Sequence, residues 1–264
     1  TSATLCAGSD VTFTAAATGT NIAYQWQVST DGGTTFSNIA GATNATFSIT
    51  GVTAALNAYQ YHVVVSGTCT PAATSNAATL NVVSPATVTT QPANTAVCDG
   101  GNASFTVAAS SATVYQWQVS TNGGTSYTDV TGATAATLSL TAVTTASNGN
   151  LYQVLISNAT CTTPNTSNAA TLTVNALPNV TAAASETNVC TGTPVTLSAA
   201  GASTYSWVPG NLTGGTVVVN PIVDPNNPSV AVTTTYTVTG TDGNGCVNTA
   251  NINVTANPLP VVTL

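Results

Sequence analysis

The chain has 264 residues, 43% hydrophobic and only 3% charged, and its charge is seven carboxylates with no lysine or arginine, a formal net charge of −7. Average soluble domains are about one quarter charged, so solubility here falls to Thr, Ser and Asn side chains. Without a cation the chain cannot neutralise nucleic-acid phosphates or anionic lipid, and it lacks the phosphate-binding lysine, arginine finger and Schiff-base lysine of several enzyme classes.

Apolar and hydroxylated residues alternate from the start, with a period of two rather than 3.6. In chain order the first strands are Val11–Ala17, Tyr24–Ser29, Thr46–Thr50, Tyr59–Ser66 and Ala77–Val83. Asp31-Gly32-Gly33 follows the Trp26 strand, and residues that accept positive φ make it a tight hairpin turn. A second pass opens at Ala86–Pro92, continues through Ala103–Val107 and repeats Tyr24–Thr30 letter for letter as Tyr115–Thr121. Its turn is Asn122-Gly123-Gly124 and its last strand Asn168–Val174. A third, more divergent pass has Val195–Ala199, Tyr205-Ser206-Trp207, Thr233–Thr239 and Asn248–Val254. No stretch has the periodicity of an amphipathic helix.

Cys6, Cys98 and Cys190 recur at about 92 residues, and a regular period of this length means a tandem array. The expected domains are 1–84, 85–176 and 177–258, with 259–264 starting a fourth repeat or serving as a donated strand. About seven short strands per roughly 90 residues with a Trp on the third is the pattern of an immunoglobulin-like sandwich. The fold class is therefore all-β: three tandem immunoglobulin-like β-sandwich domains in an elongated array. Thr1–Cys6 matches Ala93–Cys98, but the strand Ala86–Pro92 has no counterpart before it, whereas Asn257–Thr263 copies the pattern of Asn175–Thr181 that opens the third repeat. Two explanations fit: the chain is a window on a longer polymer, the first choice, or successive subunits lend each other a terminal strand. No run is apolar enough to span a bilayer as a helix, and direct membrane insertion is not expected.

The order Cys-x-Gly (in the first repeat Cys6-Ala7-Gly8), strand, Tyr-x-Trp, Gly-Gly turn, Tyr strand, Cys, Ser-Asn-Ala-Ala-Thr-Leu resembles the immunoglobulin-like repeats of giant cell-surface adhesins of Bacteroidota. The third repeat, with Tyr236 in its strand and Asp242-Gly243-Asn244-Gly245-Cys246 leading into the last strand, is similar to the PKD-like repeats found beside them. The resemblance implies an extracellular, bacterial cell-surface protein of the gliding-motility adhesin type, exported by type IX secretion. It says little about a ligand.

Six cysteines without Cys-x-x-Cys spacing suggest disulfides and an oxidising exterior. Pairing inside each repeat would join Cys6 with Cys69, Cys98 with Cys161 and Cys190 with Cys246. The first cysteine of each repeat, however, falls in a turn at the end where the chain leaves the domain, and the second in a loop at the opposite end. A six-residue strand separates the ends by about 20 Å, whereas a disulfide needs Cα atoms within about 7 Å. Pairing across junctions, Cys6 with Cys161 and Cys98 with Cys246, is favoured, leaving Cys69 and Cys190 for units outside these three.

Candidate chemistry is sparse. His62, the only histidine, alternates out of phase with Tyr61 and Val63 and is expected to face solvent. Asp99 and Asp242 are weak calcium candidates, short of the six to eight oxygens calcium needs. Asp31 becomes Asn122 in the second copy, which suits a turn rather than a catalytic pair. Trp26, Trp117 and Trp207 are expected in the cores. Asn-x-Ser/Thr sequons start at Asn44, Asn102, Asn158, Asn165, Asn179, Asn211 and Asn253, and glycosylation at them stays open. No catalytic residues, cofactor or enzyme activity are expected. Two function classes remain: a load-bearing stalk or filament segment whose partners are further copies of the repeat, and a module that binds surface glycans.

Overall fold

The computed structural model describes residues 1–260; residues 261–264, most of the segment expected to start a fourth repeat or be donated as a strand, lie outside the described residues. The first repeat contains β1 (Ala3–Cys6), β2 (Val11–Thr14), β3 (Ala23–Ser29), β4 (Ser37–Asn38), β5 (Thr46–Ile49), β6 (Gln60–Ser66), β7 (Ala73–Thr74) and β8 (Ala78–Val83). The second contains β9 (Thr87–Thr90), β10 (Thr95–Cys98), β11 (Ala103–Thr106), β12 (Ala108–Ser110), β13 (Val114–Ser120), β14 (Thr128–Asp129), β15 (Thr137–Leu140), β16 (Leu151–Ser157), β17 (Asn165–Thr166) and β18 (Ala170–Asn175). The third contains β19 (Thr181–Ala184), β20 (Asn188–Cys190), β21 (Val195–Ala200), β22 (Thr204–Val208), β23 (Leu212–Thr213), β24 (Thr216–Val219), β25 (Val232–Thr241) and β26 (Val247–Asn257). Single 3-10 turns at Ala54–Leu56 and Thr145–Ser147 are the helical elements among the described residues.

By compactness the chain forms two units. The first comprises Thr1–Ala93, Phe105–Leu138 and Leu151–Ala170. Here the first repeat forms one sheet in the order β1-β8-β6-β3-β4, with β7 also on β6, opposed by the pair β2-β5. The alternation that marks β3 in sequence places Trp26 inward, 4% exposed, against Phe13, Tyr61, Val63 and Leu80. In the second repeat's share of this unit, β13 pairs antiparallel with β14 and β16, and Trp117 and Phe105 are buried with Tyr152. The Phe105 and Tyr152 rings stack at 4.9 Å, the offset contact aromatic pairs prefer.

The second unit comprises Asn94–Ser104, Ser139–Asn150 and the chain from Thr171 onward. It holds the parallel pair β10-β18 and the third repeat, whose sheets run β20-β26-β25-β22-β23 and β19-β21-β24. Trp207, Leu197 and Val238 are fully buried between those two sheets. All three repeats are immunoglobulin-like β-sandwiches.

The repeated Tyr-Gln-Trp-Gln run has a structural cause beyond the core Trp. Gln25 Nε2 donates to the carbonyls of Trp26 (2.9 Å) and Ile39 (2.8 Å), and Gln116 does the same to Trp117 (2.9 Å) and Val130 (3.0 Å). Each glutamine thus adds a second donor to carbonyls that already accept backbone N–H groups, those of Ile39 and Ala42 in the first repeat and of Val130 and Ala133 in the second, using the second lone pair of each oxygen. The turn that follows is tied by buried Ser29, whose Oγ accepts the Gly33 N–H at 2.8 Å and whose hydroxyl donates to Asp31 at 2.7 Å. Gly33 has φ +92°, a left-handed conformation that L side chains rarely adopt and that glycine takes without strain.

Two expectations need correction. The first cysteines lie at strand ends rather than in turns: β1, β10 and β20 each end on one and pair in parallel with the last strand of their own repeat. The strand expected over Val11–Ala17 stops at Thr14. In the second repeat the equivalent stretch resumes as β12, which pairs with β9, Ala109 opposite Val88.

Candidate functional site

The features that carry chemistry sit at the ends of the sandwiches. In the first unit Cys6 is bonded to Cys161, with S–S 2.03 Å and Cα atoms 5.0 Å apart. In the second, Cys98 is bonded to Cys246, S–S 2.04 Å and Cα–Cα 5.5 Å. Each bond joins the first cysteine of one repeat to the second cysteine of the next. Cys69 and Cys190 are free and exposed.

The register explains which cysteines meet. Cys6 lies opposite Val83, Cys98 opposite Asn175 and Cys190 opposite Asn257, each at the residue where the chain quits its last strand. A cysteine so placed stands beside the linker to the next repeat. The receiving loop is held by Asn158, 6% exposed. Its Nδ2 donates to the carbonyls of Ser84 (3.0 Å) and Ser111 (2.9 Å), while its Oδ1 accepts the N–H groups of Thr160 (3.2 Å) and Cys161 (2.7 Å). One side chain thus holds the linker carbonyl and the cysteine backbone together, so its pattern of two donors and one shared acceptor is fully used. Nothing in the sequence marked Asn158 for this beyond its place three residues before a cysteine.

His62 lies on the outer face of its sheet but is not free. Its ring stacks on Phe36 at 3.8 Å and 11°, and Nε2 is 2.6 Å from Gln27 Oε1. Burial under Phe36 pushes its pKa below the usual histidine value. In the second repeat the same place is filled by Gln153, which donates to Gln118 at 2.9 Å.

The carboxylates tie turns. Asp99 accepts the Thr145 N–H at 2.8 Å; Asp242 accepts those of Asn244 and Cys246, both at 2.8 Å. Asp31 accepts the Thr35 hydroxyl and the N–H groups of Thr34 and Thr35, and the Thr35 bonds chiefly hold it well below the usual carboxylate range. Among the described residues no three His, Cys, Asp or Glu side chains gather where a metal ion could sit. The indole N–H groups of Trp26, Trp117 and Trp207 donate to the carbonyls of Asn44, Ala135 and Gly214 inside their repeats.

An open groove of about 850 Å³ runs along the first repeat, floored by Phe13, Tyr61, Val63 and Val65 and walled by Ala15–Thr18 and Ala73–Asn76. The same face of the second repeat is covered. There β9 pairs with β12, Asn165 Nδ2 donates to the Ala86 carbonyl (3.4 Å) and Gln91 Oε1 accepts the Asn168 N–H (2.8 Å). Val107 and Ile156, which match Ala15 and Val65, are 3% and 0% exposed.

Comparison with known proteins agrees with this architecture. A family model described as a domain of unknown function (DUF8696) matches twice, over residues 1–84 and 87–176. No curated protein sequence matches. The fold is similar to the I-band fragment I67–I69 from titin (15% identity, TM-score 0.53, 98% of this chain and 96% of that one). It is also similar to an E-to-A mutated variant of titin domains I67–I69 (14% identity, TM-score 0.52, 98% and 96%). At such identities the likeness is one of fold.

Proposed function

The chain belongs to the DUF8696 family, which it carries in two consecutive copies, and from that premise we propose that it is a structural segment of a stalk or filament in a secreted bacterial cell-surface adhesin. Its work is spacing and bearing load. The observation that carries this reading is that both disulfides join different repeats rather than closing one. An intradomain bridge stabilises a single sandwich; a bridge across a junction lets tension bypass the linker through a covalent bond. The linkers Ser84-Pro85 and Ala176-Leu177-Pro178 are short and contain proline, which limits hinge freedom.

Composition supports an exposed life. Disulfides persist outside the reducing cytosol, and a chain without lysine or arginine offers no site to trypsin-like proteases. The residue patterns similar to gliding-motility adhesins support a reading in which it stands at the surface of a cell that uses type IX secretion. Immunogold labelling of the producing cells tests this. Labelled fibrous material at or beyond the surface is expected, and label confined to the cell interior would overturn it. A polysaccharide panel separates the alternative, since specific retention of the chain on a glycan would make it a binding module.

A further inference from the structure

We propose that Asn244 is a site of spontaneous covalent modification: its side-chain amide is lost to ring closure on Gly245, leaving an aspartyl or isoaspartyl residue that records the age of the molecule and loosens the turn beside Cys246. Such a mark goes beyond the load-bearing role and is independent of it.

Asparagine followed by glycine is the dipeptide most open to this chemistry, because glycine has no side chain to crowd its own backbone nitrogen as that nitrogen approaches the neighbouring amide carbon. Three such pairs occur, Asn122-Gly123, Asn148-Gly149 and Asn244-Gly245, and the fold treats them differently. The Asn122 amide is pinned at both ends: Oδ1 accepts the Ser120 hydroxyl (2.8 Å) and the Ser126 N–H (3.0 Å), and Nδ2 donates to Ser126 Oγ (2.8 Å). At the second pair Asn148 Oδ1 accepts the Val174 N–H at 2.9 Å, while the attacking nitrogen, that of Gly149, donates to the Leu172 carbonyl at 2.9 Å. Ring closure at either site first breaks these bonds. Asn244 is exposed, and among the described residues only its backbone N–H is engaged from its own atoms, on Asp242 Oδ1 at 2.8 Å, which leaves the side-chain amide free to turn. The Gly245 N–H, on the nitrogen that attacks, makes one long bond of 3.2 Å to the Asp242 carbonyl, across the short loop joining β25 to β26.

In the first step the Gly245 nitrogen gives its proton to solvent and attacks Cγ of Asn244. The N–Cγ bond forms, the Cγ–Nδ2 bond breaks, and Nδ2 takes up a proton and leaves as ammonia. Water then opens the resulting succinimide at one of its two carbonyls. Opening at Cγ gives aspartate; opening at the former backbone carbonyl gives isoaspartate, whose main chain runs through the side-chain carbons and is one methylene longer. Nothing is oxidised or reduced, since one amide and one water become one carboxylic acid and one ammonia. The added methylene falls inside a tight loop. Asp242 N–H donates to the Cys246 carbonyl at 3.0 Å, and Asp242 Oδ1 accepts the Cys246 N–H at 2.8 Å. Cys246 is fully buried and bonded to Cys98. Lengthening the chain between these partners separates them, so the modified loop holds the Cys98–Cys246 bridge less closely.

The test ages the full oxidised chain at mildly alkaline pH in heavy-oxygen water. Peptic digestion and mass spectrometry should find the amide-to-acid mass change, with heavy oxygen incorporated, at Asn244 at least tenfold faster than at Asn122 or Asn148. In the reduced chain unfolded in urea the three rates should converge to within threefold. Hydroxylamine, which cleaves the chain at the succinimide, should cut the folded protein after Asn244, and Asn244→Gln should abolish that cut. In the aged chain a thiol reductant should open Cys98–Cys246 at least threefold faster than in the fresh chain, with Cys6–Cys161 unchanged. An Asn244 that stays intact, modification of Asn122 or Asn148 at an equal rate in the folded chain, the same ranking after unfolding, or a bridge that opens no faster with age would overturn the proposal.

Discussion

Cys6 lies opposite Val83 in the parallel pair of β1 and β8, so the cysteine stands beside the point where the main chain leaves the first sandwich. Its bond to Cys161 spans 155 residues of sequence while its Cα atoms are 5.0 Å apart. A long loop closed by so short a link changes how the chain responds to force.

Stretched between its ends, the oxidised chain offers a taut path of only about 90 residues, roughly 300 Å at about 3.4 Å per residue, because the bridges exclude the rest. Reduction frees all 264 residues, roughly 900 Å on the same scale. Single-molecule extension with and without reductant measures the difference. Full extension of the oxidised chain would show that the bridges do not carry the load.

Asn158→Ala removes the side chain that links the Ser84 and Ser111 carbonyls to the backbone of Cys161. Loss of a buried hub of this kind costs about 2–4 kcal/mol, read from the denaturant midpoint of the oxidised chain. Asn165→Ala, which removes one 3.4 Å bond from an exposed residue, should cost less than half as much. Equal effects would refute the hub role.

Trp117→Ala opens a void in a fully buried site and orphans the Ala135 carbonyl. A loss of about 3–5 kcal/mol is expected, and Trp117→Phe should recover part of it. Calorimetry of both variants distinguishes core packing from a surface role, for which the loss would be near zero.

His62 has a folded pKa below its ordinary value of 6.5 because burial disfavours the charged ring. The unfolded chain therefore binds the proton first as pH falls, so stability is full above about pH 6.5 and declines on acidification towards the folded pKa. His62→Gln, the residue type at position 153, should flatten denaturation midpoints between pH 8 and pH 5. Asp31 acts in a lower window: its pKa is depressed from 3.8, and its contribution fades only as pH falls beneath that value. An unchanged slope in the glutamine variant would exclude His62 as the source.

The sandwiches were legible because half-buried strands write their burial as alternation, and the Tyr-Gln-Trp-Gln run states it twice in identical letters. The short strands β1, β10 and β20 were not legible. Three or four residues such as Thr95-Ala96-Val97-Cys98 are too few to establish a period, and their parallel pairing is with a strand more than 60 residues away. The contact of His62 with Phe36 was hidden for a related reason. Alternation assigns a residue to a face but cannot say that a loop side chain will fold back over that face. Asn158 escaped because its hydrogen bonds join backbone from three separate segments, a tertiary fact with no local pattern.

The bridged intervals 6–161 and 98–246 overlap. A single backbone cut anywhere between Cys6 and Cys246 therefore releases no fragment, since every break in that span is straddled by at least one sulfur link. Between those two cysteines the molecule survives nicking as one object, and two well-placed wounds are needed before any part of that span is shed.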